Sequence, residues 1–385
     1  MGRSPNRPAF DGDLTPDGKT FTNAGADDTY IKGMALGGHG AMPACIDTKD
    51  GKILRIRPLH FDWKYDREQL NPWTIEARGK TWRPTWRVGL APYSLAYKKR
   101  VYSPNRIKYP LKRVDWDPDG ERNPQNRGKS KYKRISWEEA IDIVAKEVTR
   151  IVEIYGSYAV LAQGDGHAES KIVHAAHGCQ FELMKLLGGC TYQIRNPDSW
   201  EGWYWGAKHV WGMDDSAGAM FPIANLVKDI AENTDLLLNW GYDTETTCWA
   251  YVSGMTSMMG YYWTEIGIPQ VFICPDLNYG AAVHADKWIP VLPNTDAALQ
   301  LAIIYMWLTE DTWDKEYVAT HAVGMEKVAD YVLGREDGIP KTPEWASEKC
   351  GVPEWTIKAL AREWASKVTT VAHSLGGGYI RSAYS

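Results

Sequence analysis

Leu236–Leu237–Leu238–Asn239–Trp240–Gly241–Tyr242–Asp243–Thr244–Glu245–Thr246 is the stretch whose reading decides the fold. Its first five residues form a short apolar run ended by a glycine, the signature of a buried strand. A helical pattern follows over about Thr246–Gly260. The alternation then repeats. Gln270–Cys274 reads as a strand ended by Pro275, Lys287–Leu292 as another, and Asp296–Leu308 as a strongly apolar helix. Pro353–Lys367 reads as a further helix, and Thr369–Ser374 as a last strand entering Gly376–Gly377–Gly378. Strands alternating with helices, with polar loops after the strands, predict a parallel sheet that binds its ligand at the strands' carboxyl ends.

Upstream, the character changes at Ile135. Ser136–Trp137–Glu138–Glu139 sets a capping serine three residues ahead of a carboxylate. Ala140, Ile141, Ile143, Val144, Val148, Ile151 and Val152 then recur at helical spacing up to Gly156. A strand over Tyr158–Ala162, a Gly-Asp-Gly loop and a helix over about Lys171–Leu187 complete a second α/β series. Earlier still, Asp50–Gly51 between Ala44–Asp47 and Ile53–Arg57 is a hairpin signal, because both central residues of that turn need a positive φ. The expected fold is α/β: a small β-rich N-terminal region followed by two Rossmann-like, parallel-sheet domains. The expected divisions are an extended arm over 1–30, a β-rich region with a long ordered connection over 31–133, a first α/β domain over 134–215, and a second over 216–385.

Composition excludes several classes. With 24% charged residues and a net charge of −4, no field favours nucleic acid. The basic clusters Lys98–Lys99–Arg100 and Lys129 to Arg134 read as solvated surface. No run reaches the length of a membrane span, and Met1–Phe10 carries no secretory pattern, which points to the cytoplasm. The 6 cysteines lie at no metal-ligand spacing and read as buried and reduced. The 19 tryptophans are unusual. Trp200, Trp203, Trp205, Trp211 and Trp240 stand in polar, glycine-rich contexts, where core packing and a cleft that stacks flat rings are both open.

Five places carry candidate chemistry. Asn196–Pro197–Asp198–Ser199–Trp200–Glu201–Gly202–Trp203 has neither helix nor strand period. It reads either as a capping turn or as a loop in which Ser199 binds a Lewis-acidic metal and Asp198 accepts a proton beside it. His167, just past a strand, reads as an exposed loop histidine or as an acid–base group. His174 and His177 read as core histidines rather than a metal pair. Gly241–Thr246 and Pro293–Asp296 resemble phosphate- and purine-binding loops at helix N-termini, a pattern that ordinary helix caps share. No Walker or GxGxxG loop is present, so ordinary ATP or NAD binding has no support.

Together these residues resemble the molybdopterin oxidoreductases of the dimethyl sulfoxide reductase superfamily. The general carriers are Tyr109–Arg113, Arg134–Ala140, and Ala285–Trp288 through Pro293–Leu299. The sequence is more closely similar to the family of pyrogallol–phloroglucinol transhydroxylase and resorcinol hydroxylase large subunits. That likeness rests on Ile75–Thr81, Asp117–Gln125 and above all Asn196–Trp203, and runs from about residue 44 onward. The resemblance implies that fold, with the C-terminal part cut away. It implies molybdenum (or tungsten) held by two molybdopterin guanine dinucleotides, with Ser199 as metal ligand and His167 and Asp198 as proton-transfer groups. It places Trp200, Gly241, Asp243, Glu245, Pro275, Asn278, Thr295, Asp296, Gly376 and Gly377 at the cofactor, with Asp296 at guanine. Cys274 departs from the family's acidic residue. Only Cys45 lies where relatives bind an iron–sulfur cluster, so no iron–sulfur cluster is expected in this chain. A small, ferredoxin-like iron–sulfur subunit is the expected partner.

The implied reaction is transfer of hydroxyl groups on polyhydroxylated aromatics. The alternatives are a net hydroxylase or reductive dehydroxylase of a phenol on the same scaffold, or, in a different class, a cofactor-free fragment or binding module.

Overall fold

A computed structural model describes residues 13–14, 20–21, 25–33, 43–61, 67–70, 74–90, 96–163, 179–193, 209–210, 212, 227–246 and 255–373. The chain forms two compact units, one of residues 25–57 and 93–195, the other of residues 1–24, 58–92 and 196–385.

The first unit opens with an antiparallel three-stranded sheet of β1 (Asp28–Gly33), β2 (Pro43–Lys49) and β3 (Lys52–Pro58). The turn between β2 and β3 holds Asp50 at φ 48° and Gly51 at φ 70°, the positive pair that a two-residue hairpin requires. Next come the antiparallel strands β4 (Leu111–Arg113) and β5 (Tyr132–Arg134). Helix α1 (Trp137–Tyr155) then begins where the serine signal placed it, with Ser136 Oγ accepting from the Glu139 amide at 3.1 Å. None of its side chains is fully buried, and part of its apolar stripe lines a cavity of about 560 Å³ with Trp116, Arg113 and Arg122. Strand β6 (Leu161–Gln163), helix α2 (Cys179–Leu186) and strand β7 (Thr191–Gln193) follow, with β6 and β7 paired in parallel.

One expected strand starts later than its sequence pattern. Ser157–Ala159 is a 3₁₀ turn and the strand starts at Leu161. The turn follows directly on Gly156, whose φ of +82° ends α1 and leaves no room for an earlier extended run.

The second unit carries the parallel sheet. Its elements are α3 (Val227–Asn233), β8 (Leu236–Trp240), α4 (Met255–Glu265), β9 (Gln270–Ile273), α5 (Tyr279–His284), β10 (Lys287–Ile289) and α6 (Asp296–Thr309). They continue with α7 (Lys315–His321), α8 (Met325–Val332), α9 (Pro343–Cys350), α10 (Glu354–Ala365) and β11 (Thr369–His373). All pairings are parallel, in the order β10–β9–β8–β11. Numbered by appearance the order is 3-2-1-4, so the winding reverses between β8 and β11. In open α/β sheets such a reversal opens a crevice at the carboxyl ends of the two strands.

Both faces of the sheet are covered, which is why β8 is buried along its whole length and shows no alternation. On one face Leu236, Leu238, Val271 and Ile273 pack on Leu299 and Ile303 of α6 and Ile357 of α10. On the other, Leu237 packs with Met259, Tyr262 and Trp263 of α4 and with Ile75 and Trp82 of the hairpin Ile75–Ala77/Lys80–Trp82.

Two boundaries shift from expectation. Helix α4 runs through Gly260 to Glu265. Gly260 is no terminator: a Cβ there would meet the His284 ring at 2.8 Å, so the position stays glycine for close packing. Strand β10 ends at Ile289 because Pro290 has no N–H to continue the ladder. Helices α7, α8 and α9 had no counterpart in the sequence reading. They are short, at 7, 8 and 8 residues, too short for helical periodicity to stand out. Among the described cysteines, Cys45, Cys190, Cys274 and Cys350 are buried, whereas Cys179 is exposed.

Candidate functional site

The described part of the candidate site lies at the carboxyl ends of β8 and β9, in the loops 241–246 and 274–278 and at the start of α6. Gly241 turns the chain out of β8 at φ 62° while its amide still donates to the Ile273 carbonyl of β9 at 2.8 Å. The positive φ suits glycine, which has no Cβ to clash.

Asp243 ties the two loops together. It is 7% exposed. Its Oδ1 accepts from the amides of Glu245 at 2.9 Å, Thr246 at 3.2 Å and, across the gap, Gly280 of α5 at 3.1 Å. Its Oδ2 accepts from the Thr246 hydroxyl. A buried carboxylate is tolerated when several N–H groups satisfy it. Gly280 is the other half of this junction, since a Cβ there would lie 2.9 Å from the Thr244 amide nitrogen and 3.1 Å from Asp243 Oδ1.

Glu245 is likewise committed inward. Its Oε1 lies 2.6 Å from His284 Nε2 and its Oε2 accepts from Ser257 at 2.7 Å. The His284 side chain is 1% exposed and meets Tyr261 edge-on at 4.7 Å. The loop thus gains a strut to α4 and α5. Asp243 and Glu245 were both singled out from sequence as cofactor residues. Their carboxylates bond to the protein itself, which leaves the loop backbone as the surface they shape.

In the second loop, Asn278 caps α5, its Oδ1 accepting from the Ala281 amide at 2.8 Å and its Nδ2 donating to the Tyr242 carbonyl at 3.4 Å. Pro275 is exposed beside it. Cys274 is buried, and burial together with the nearby Asp276 carboxylate pushes its thiol up to about 11. It donates to the Asp276 carbonyl at 3.2 Å, so it holds the loop as a neutral thiol.

At α6, Thr295 Oγ1 donates to the Leu292 carbonyl at 2.7 Å. Asp296, 7% exposed, accepts the Trp240 indole N–H at 2.8 Å through Oδ1. Trp240 itself is 1% exposed and part of the core. For this tryptophan, core packing replaces the ring-stacking cleft, because its position at the end of a strand covered on both faces leaves the ring no open side.

The structure therefore brings Gly241, Asp243, Glu245 and Asn278 into one junction and places Asp296 against the last residue of the same strand. His167, Asp198, Ser199, Trp200, Gly376 and Gly377 lie outside the described residues, as do Trp203, Trp205 and Trp211. Trp240 as a hydrogen-bond donor, His284, Ser257 and Gly280 were missed from sequence. Their partners are far away along the chain, and no local spacing signals them. Among the described residues no cluster of three or more His, Cys, Asp or Glu could hold a metal ion. None of the described helices is long and apolar enough to cross a membrane.

Comparison with known proteins bears on this arrangement. Residues 42–100 match the family model "Pyrogallol hydroxytransferase large subunit-like, domain 1", and residues 106–360 match the model "Molybdopterin oxidoreductase". The chain is 44% identical over 345 residues to the pyrogallol hydroxytransferase large subunit of Pelobacter acidigallici, covering 88% of this chain and 39% of that protein. It is 31% identical over 286 residues to dimethyl sulfoxide reductase DmsA of Haemophilus influenzae, covering 70% and 33%. It is 30% identical over 280 residues to the dimethyl sulfoxide/trimethylamine N-oxide reductase of Rhodobacter capsulatus, covering 71% and 33%. The chain thus spans 33–39% of the length of these curated relatives. A solved structure, acetylene hydratase from Pelobacter acetylenicus, superposes with a TM-score of 0.42 at 20% identity over 80% of this chain and 40% of that one, a likeness too loose to carry weight.

Proposed function

The chain belongs to the molybdopterin oxidoreductase family, and from that premise we propose that it is the cofactor-binding front part of an enzyme that transfers hydroxyl groups between polyhydroxylated aromatic rings, of the pyrogallol-to-phloroglucinol type. The observation that carries this reading is the 44% identity over 88% of the chain to a pyrogallol hydroxytransferase large subunit. The Asn196–Trp203 motif supports it.

The family's cofactor is a molybdopterin, and the proposed form is a pair of guanine dinucleotides. The described residues fit the nucleotide portion. Asp296 offers a carboxylate more than nine-tenths buried, of which only Oδ1 is bonded among the described residues. Such a group suits a base edge carrying N–H donors. The reversal between β8 and β11 opens the crevice where α/β sheets take dinucleotides. In this reading Gly241, Asn278, Thr295 and Asp296 hold a dinucleotide from the described loops, with Asp243 and Glu245 shaping the backbone behind them. Trp200, Pro275, Gly376 and Gly377 complete the contacts, and Ser199 ligates the metal.

Molybdenum, once bound, supplies two-electron redox chemistry at the ring. The chain's own part is to hold and move protons. His167 and Asp198 take the phenolic proton and return it as the hydroxyl is exchanged. One ring gains the hydroxyl the other loses, so no external electron acceptor is consumed. A small iron–sulfur subunit and a cytoplasmic setting complete the proposal.

The test is turnover of the purified holoenzyme on pyrogallol with and without an external electron acceptor. Turnover without one supports transhydroxylation, whereas turnover that demands one refutes it and favours a net hydroxylase. Absence of molybdenum after anaerobic purification would favour the binding-module alternative. Ser199→Ala should lower molybdenum content with the fold intact, and unchanged content would remove Ser199 from the metal. His167→Ala should slow turnover by about 10²–10⁴-fold.

A further inference from the structure

Asp296 is a buried carboxylate with one hydrogen-bond partner among the described residues. It opens the 14-residue helix α6 and is 7% exposed. Oδ1 accepts the Trp240 indole N–H at 2.8 Å, and among the described residues Oδ2 accepts no hydrogen bond. Burying a carboxylate this deeply is costly unless its acceptor capacity is used.

The donor is packed into the core. Trp240 is 1% exposed and its ring lies 6.4 Å from Trp364, tilted by 57°. Trp364 in turn meets Trp307 edge-on at 5.0 Å, and the Trp307 indole donates to the Ala361 carbonyl at 2.8 Å. The Trp240 N–H therefore cannot follow a carboxylate that swings away. An aspartate in the first turn of a helix has a competing option, since it can turn back on its own helix amides. A fixed indole donor opposes that.

We propose that Trp240 is the positioning residue that sets the Asp296 carboxylate for purine selection, so that the site takes a guanine nucleotide and rejects an adenine one. Guanine offers two adjacent N–H donors at N1 and the 2-amino group, which a carboxylate accepts. Adenine presents an acceptor at N1, which a carboxylate repels. The inference rests on the dinucleotide reading above and adds to it how the base is chosen and by which pair. An acceptor fixed in advance loses less freedom on binding than one that must first be ordered.

The experiment measures the affinities of GDP and ADP for the full-length protein prepared from cells that make no pterin cofactor. It compares the wild type with Trp240→Phe and Asp296→Asn. The expected result is that Trp240→Phe lowers the GDP-to-ADP affinity ratio about tenfold, the size of one charge-assisted hydrogen bond, with ADP affinity unchanged. Asp296→Asn should lower the ratio at least as far. A purely structural role for Trp240 would weaken both nucleotides together and leave the ratio alone. An unchanged ratio in Trp240→Phe with a lost ratio in Asp296→Asn overturns the positioning role while the guanine reading stands. An unchanged ratio in Asp296→Asn overturns the guanine reading itself, and the proposal with it. Should Trp240→Phe fold poorly, hydrogen exchange of the Trp240 indole N–H in the unaltered protein reads the same contact. GDP must slow it more than ADP does, and equal slowing overturns the proposal.

Discussion

Replacing Gly280 with alanine tests the junction on which the candidate site is built. The added Cβ would lie 2.9 Å from the Thr244 amide nitrogen, 3.0 Å from Thr244 Oγ1 and 3.1 Å from Asp243 Oδ1. Two of these neighbours are hard to displace. The Thr244 nitrogen is backbone, and Asp243 is held by the Glu245 and Thr246 amides as well as by Gly280. The loop must therefore retreat as a unit. Overpacking of this kind costs roughly 1–3 kcal/mol, and stretching the bond from the Gly280 amide to the carboxylate adds to it, since bonds to charged groups contribute about 1.5–3 kcal/mol. Alanine's better helix propensity offsets about 0.5–1 kcal/mol. The net expectation is a destabilisation of about 2–3 kcal/mol, or a fall of roughly 4–12 °C in the thermal midpoint at about 2–4 °C per kcal/mol. Differential scanning calorimetry reads the midpoint, and nucleotide released per protein on acid hydrolysis reads the site. Thr244→Ala in the same background should fail to rescue, because the nearest atom is backbone. A Gly280→Ala protein that melts within a degree of wild type and keeps its full nucleotide content would refute the tight junction between the loop and α5.

Further outcomes follow from other contacts. Replacing Leu238, 0% exposed in an interior strand of the sheet, with alanine should cost about 2–5 kcal/mol of stability, measured by urea unfolding. Glu245→Ala leaves the buried His284 ring without its acceptor and should lower stability by about 1–3 kcal/mol, with Glu245→Gln recovering part of it. Glu147 is held down to about 2 by hydrogen bonds from Arg122 and then Arg150. A depressed carboxylate stabilises the fold above its unfolded value near 4.5 and loses that effect as pH falls toward 2. Urea unfolding should thus show Glu147→Gln less stable at pH 7, by about 1 kcal/mol because the pair is partly exposed, with the difference shrinking as pH falls toward 2. The thiols should also separate: at pH 8 iodoacetamide should label the exposed Cys179 and spare Cys274, whose thiol sits at about 11, as read by peptide mass spectrometry.

Much of the local structure could be read directly from residue order. Leu236–Trp240 declared itself as a doubly covered strand because every position in it is apolar or pairs internally, and it is buried throughout. Ser136 and Asp50–Gly51 marked a helix start and a hairpin turn because cap and turn chemistry act over three or four residues. The alternation of strands and helices settled that the sheet is parallel.

What residue order left open is what depends on contacts between distant positions. The 3-2-1-4 strand order places β11 beside β8 across more than a hundred residues, and no local periodicity encodes a partner at that range. Residue order put Asp243 and Glu245 at the cofactor but could not show that folding brings Gly280 and His284 to their carboxylates. Gly260 looked like a helix end until the His284 ring came to lie over it. For Trp240 core packing and a ring-stacking cleft were both open, and only packing turned it inward and aimed its N–H at Asp296, 56 residues away. Short-range chemistry determined which segments are strands, helices and turns. Tertiary packing alone decided which polar atoms are already satisfied and which are left for a ligand, because satisfaction is a property of the assembled neighbourhood and not of the residue.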